Sequence, residues 1–134
     1  MKKMTEKALL EAFAGESMAH MKYLIFSEIA EREGKPNIAR LFKAIAYAEL
    51  VHATNHARNL GFVKKTPENL QTGIDGETYE VEEMYPVFNN TAKFQNEKGA
   101  EQSTHYALEA EKIHMKMYQD ANNHYEKDKD VDFK

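Results

Sequence analysis

Residues 44–57 read AIAYAELVHATNHA. Ile45, Glu49, His52 and His56 recur there at intervals of three and four, the spacing of one helix face. The stripe that starts at Ile38, Leu41 and Phe42 as ordinary apolar side chains therefore runs on into a carboxylate and two imidazoles. Glu49 and His52 form a Glu-x-x-His pair, and residues i and i+3 of a helix point the same way. A second pair, Glu111-Lys-Ile-His114, lies on a stripe through Thr104, Leu108, Met115 and Tyr118. A carboxylate on a core face is costly unless it is paired or holds a metal. Two such faces call for cations.

The flanking sequence supplies helices to carry these pairs. Leu9, Phe13, Glu16, His20, Tyr23 and Ser27 follow helical spacing, with a start near Thr5 and a stop at Glu33-Gly34, where glycine suits a left-handed cap. Pro36 opens the second helix, which Gly61 ends. Residues 61–77 hold Gly61, Pro67, Gly73 and Gly76 and lack sustained periodicity. They read as a long connection, with one short helical turn at Thr66-Pro67-Glu68. The third helix is expected over Thr78–Gln95, kinked near Glu82 and Glu83 by Pro86. The fourth is expected over Lys98–Tyr125. The charged tail 126–134 is expected to fray. The predicted fold is all-α: a four-helix bundle over residues 1–125 with ferritin-like connectivity, a long crossover joining helices two and three.

Composition agrees and excludes much else. The 134 residues suit one domain. Seventeen of the 22 acids are Glu, a good helix former. The absence of cysteine removes disulfides, thiolate metal sites and thiol nucleophiles. A net charge of −4 gives no reason to seek nucleic acid. No apolar run is long enough to span a membrane. The basic start MKKMTEKALLEAF meets Glu6 early and has no apolar core of a leader, so a cytoplasmic location is expected.

Helices one and three each add an inward glutamate: Glu16, between Phe13 and Tyr23, and Glu83, between Glu80 and Val87. One glutamate from each of two helices plus Glu-x-x-His from each of the others is the di-iron or di-manganese carboxylate pattern. The halves form a weak repeat, with Glu16 33 residues before Glu49 and Glu83 28 before Glu111. Glu80, one turn before Glu83, is a seventh candidate ligand. His20 and His56 read as hydrogen-bonding neighbours of the ligands rather than ligands. Tyr23 reads equally as a partner for a ligand carboxylate or as core. His105 and His124 read as surface residues. Met18, Met21, Met84, Met115 and Met117 read as helix packing.

AFAGESMAHMKYL (12–24), AIAYAELVHATNHA, EVEEMYPVF (80–88) and HYALEAEKIHMKMY (105–118) resemble the rubrerythrins, over about residues 5 to 125. The resemblance implies a non-haem di-iron centre that reduces hydrogen peroxide to water. It implies Glu49 and Glu111 as bridging carboxylates, Glu16 and Glu83 on one iron, and Glu80 and His114 on the other. His52 would replace Glu83 on reduction, making Glu83 and His52 the catalytic pair. The rubredoxin-like domain typical of the family, with its four-cysteine iron, is expected to be missing, as in a short form, natural or truncated, since these 134 residues hold no cysteine. Electrons are therefore expected from an external rubredoxin or reductase. The alternatives are ferroxidase and iron handling, or oxygen reduction, and manganese or zinc also suits such ligands. The expected assembly is a homodimer, with exchange of helix pairs through residues 61–77 as one form.

Overall fold

The structure, a computed structural model, describes residues 1–132. The described chain is helical throughout its regular elements: α1 Lys3–Arg32, α2 Pro36–Asn59, α3 Thr66–Tyr79, a π-helical turn Glu80–Met84, α4 Tyr85–Phe94 and α5 Lys98–Glu126. The all-α class is as expected. No helix among the described residues is long and apolar enough to cross a membrane. The chain forms two compact units, Met1–Val63 and a second beginning at Lys64.

In the first unit α1 packs against α2. The turn between them closes as a Schellman motif: Lys35 N–H bonds the Ala30 carbonyl at 2.8 Å, and Gly34 N–H bonds that of Glu31 at 3.0 Å. Gly34 sits at φ +73°, a region other residues enter only at a cost. Pro36 then starts α2, as the sequence predicted. The buried residues are small: Ser27 and Ala30 on α1, and Ala39, Ala46, Ala53 and Ala57 on α2. Ala39, Ala46 and Ala53 are one heptad apart and let the two backbones come close. Tyr23, Phe26 and Phe42 cluster beside this seam, with ring centroids 5.5–6.3 Å apart. Tyr23 is thus a packing residue.

The second unit corrects two expectations. Residues 66–77 are helix, so the non-helical connection shrinks to residues 60–65. Pro67 in the first turn fixes a helical φ, and Glu68 complements the helix dipole there. Gly73, which reads as a breaker, is held by packing: a Cβ on it would meet the Tyr118 ring at 3.1 Å. From Thr66 the helix runs unbroken to Phe94 through the π turn. There the Tyr85 N–H reaches the Glu80 carbonyl, five residues back. Pro86 lacks the N–H that would bond the Glu82 carbonyl, and the local register widens to accommodate it. The expected kink is therefore a π turn. α3 and α4 both pack against α5. Buried Asn89 ties α4 to α5, donating to the Glu101 carbonyl at 2.8 Å and Thr104 Oγ1 at 3.0 Å. The helix α5 ends at Glu126; the last two residues of the expected tail, 133 and 134, lie outside the described residues. Of the methionines read as packing, Met84 and Met115 are half-buried, whereas Met18, Met21 and Met117 are exposed.

Candidate metal centre

Each unit gathers two carboxylates and one imidazole. In the first, Glu16 of α1 meets Glu49 and His52 of α2, with one donor atom from each lying within 4.8 Å of the others. His52 Nδ1 is 3.7 Å from Glu16 Oε2 and 3.9 Å from Glu49 Oε1. The antiparallel pairing of α1 and α2 produces this directly. Glu16 and Glu49 face one another across the alanine seam, and His52 follows one turn along α2.

In the second unit the same arrangement is made by Glu77 of α3 with Glu111 and His114 of α5. His114 Nδ1 is 3.0 Å from Glu111 Oε2 and 3.8 Å from Glu77 Oε1. The glutamate expected here was Glu83. Glu83 instead lies in the π turn and is exposed, while Glu80 is half-buried one turn beyond Glu77. The physical reason is the π turn itself. The wider turn rotates the helix, so tracing a straight 3.6-residue stripe back from Val87 selects Glu83, which lies outside the trio, rather than Glu77. Spacing held the missed signal. Glu77 precedes Glu111 by 34 residues, close to the 33 between Glu16 and Glu49.

The donor sets fit a hard or borderline metal ion. Carboxylate oxygens with one imidazole nitrogen suit iron, manganese or zinc. Glu77 Oε2 is buried with no hydrogen-bond partner, a costly state that a bound cation would relieve. Among the described residues, the ion pairs that reach these four glutamates come from His52 and His114, never from lysine or arginine. The side chains of Glu49, Glu77 and Glu111 are only 17–18% exposed.

The other histidines fall mostly where expected. His20 is half-buried, its Nδ1–H donating to the Ala46 carbonyl at 2.6 Å. His56 is half-buried, whereas His105 and His124 are exposed.

Helices that present paired carboxylates and Glu-x-x-His motifs define a carboxylate metal-centre protein. Comparison with known proteins narrows this. The rubrerythrin family model matches residues 7–122, and the chain belongs to the rubrerythrin family. That family comprises ferritin-like helical di-iron proteins of peroxide and oxidative-stress defence. Rubrerythrin-2 of Clostridium acetobutylicum is 49% identical, the match covering 96% of this chain and 77% of that protein. Nigerythrin of Nitratidesulfovibrio vulgaris is 37% identical, over 89% of this chain and 66% of that one. Among solved structures, nigerythrin in its fully reduced, all-ferrous state matches 91% of this chain and 67% of its own, at 32% identity and a TM-score of 0.47.

Proposed function

We propose that this protein is a cytoplasmic non-haem di-iron peroxidase that reduces hydrogen peroxide to water with electrons from an external rubredoxin or reductase. The observation that carries the reading is the repeated two-carboxylate, one-imidazole trio, one in each helical unit. Two iron ions would be held by Glu16, Glu49 and His52 and by Glu77, Glu111 and His114. Half-buried Glu80 is the seventh candidate. This moves the helix-three roles one turn back: Glu77 takes the place implied for Glu80, and Glu80 that implied for Glu83. Glu80 rather than Glu83 would then be the further carboxylate available to such a centre, with His52 the neutral donor.

When bound, a ferrous pair supplies the two electrons that convert one peroxide and two protons to two waters. The protein's own groups do the rest. Glu49 and Glu111, each less than a fifth exposed, would hold the cations with little competition from water. His52, at 53% the most exposed donor, sets its Nδ1 between two carboxylates and would give the first cation its one neutral ligand. We propose that the protein works as a homodimer, with exchange of helix pairs through the connecting segment as one form of it.

The test is anaerobic stopped-flow mixing of the ferrous protein with peroxide and, separately, with oxygen. Oxidation by peroxide much faster than by oxygen is the expected result. Preference for oxygen would favour oxygen reduction or ferroxidase chemistry.

A further inference from the structure

We propose that His20 is a positioning residue: its imidazole sets the axial register of α1 against α2 at which Glu16, Glu49 and His52 converge. This rests on reading that trio as half of a metal centre.

Two side chains cross from α1 to the backbone of α2. His20 Nδ1–H bonds the Ala46 carbonyl at 2.6 Å, and Ser27 Oγ–H bonds the Ala39 carbonyl at 2.7 Å. The donors are seven residues apart on α1, and the acceptors seven apart on α2 in the opposite sense. The two bonds therefore describe a single antiparallel register. They are made along the alanine seam, where Ala46 is 0% exposed. A carbonyl oxygen only accepts, so the His20 Nδ1 must carry a proton.

The position of this bond matters. His20 is one turn past Glu16, and its acceptor Ala46 lies three residues before Glu49. Ser27 is three turns from Glu16. A slip of α2 by one residue moves it about 1.5 Å and turns it about 100°. Such a slip breaks both bonds and takes Glu49 off the face it shares with Glu16. The second unit has no such bond one turn past its helix-three glutamate, since the residue four past Glu77 is Val81, within the π turn. Its inter-helix bond from Asn89 to the Glu101 carbonyl lies well away from the trio. The effect is thus confined to the first trio.

The experiment uses the full chain and cobalt(II) as the probe, read by visible absorption against a competing chelator. It compares wild type with H20N, H20Q, H20L and S27A, each also in a Glu111→Ala background to isolate the first trio. The asparagine amide nitrogen falls where Nδ1 was; the glutamine nitrogen falls where Nε2 was. H20L and H20Q are expected to weaken cobalt binding about ten-fold or more, with H20N recovering most of it and S27A changing it by less than about two-fold while lowering the melting temperature. Nitrogen-15 NMR of the wild type should show His20 protonated at Nδ1. An Nε2–H tautomer, or cobalt binding by H20Q equal to that by H20N, overturns the proposal. H20Q and H20N carry this comparison if H20L does not fold. Wild-type protein that takes up no cobalt overturns the metal reading itself, whatever the tautomer.

Discussion

Glu77 holds a carboxylate oxygen away from water with nothing to bond it. Without metal that oxygen is a liability, because a carboxylate charge held from water with no cation to pair it is costly, and an amide in its place carries no charge. Glu77→Gln should therefore raise the melting temperature of chelator-treated protein while lowering bound iron from two per chain to one or none. Glu83→Gln, at an exposed position, should leave both quantities unchanged. Metal analysis together with thermal denaturation checks the pair. Iron lost in Glu83→Gln and kept in Glu77→Gln would return the ligand role to Glu83. Of the residues that form the two trios, Glu16, Glu49, His52, Glu111 and His114 were legible from spacing because their helices are regular where they sit. Glu77 was not, because the chain between it and Val87 leaves the α register.

Helix boundaries show the same division. Gly34 and Gly61 were readable as stops because both take positive φ just past a helix end, where glycine has its clearest use. Gly73 and Gly76 looked alike in sequence, yet both lie inside α3. Only packing distinguishes them. A Cβ at Gly73 would press on the Tyr118 ring, whereas one at Gly76 meets nothing within 4 Å. Replacing Gly76 by alanine should stabilise the protein by about 0.5–1 kcal/mol, the helix preference of alanine over glycine. At Gly73 the same change should lose that gain, since the ring has to shift. Urea denaturation of the two variants decides it, and equal stabilisation would mean that Tyr118 yields freely.

Across the whole chain, the described core is made of small side chains: six alanines, one serine and one asparagine are buried. Such a core contributes modestly, and acids held near one another oppose it. Metal should therefore supply a visible share of the stability. With free iron(II) at a hundred times its Kd, linkage gives about 2.7 kcal/mol. A chelator should lower the melting temperature accordingly, and iron(II) restored without oxygen should recover it. Exchange of helix pairs has its own test. Glu49→Ala damages the first trio and Glu111→Ala the second. When the two variants are unfolded together and refolded with iron, an exchanged dimer should regain some intact centres, whereas unexchanged chains should regain none. Native mass spectrometry counts the metals per dimer.

The turns at residues 33–35 and 95–97 close on themselves: in the second, Glu97 N–H bonds the Ala92 carbonyl at 2.9 Å and Asn96 N–H that of Lys93 at 3.1 Å, with Asn96 at φ 59°. Each is specified by neighbours in the chain and brings together helices adjacent in sequence, so little loop entropy opposes their meeting. Proteins whose contacts are this local fold in microseconds to milliseconds. Each trio should consequently be assembled before any ion arrives. Iron would then be captured by a pocket already shaped for it rather than act as the template for folding, and the refolding rate should be indifferent to its concentration.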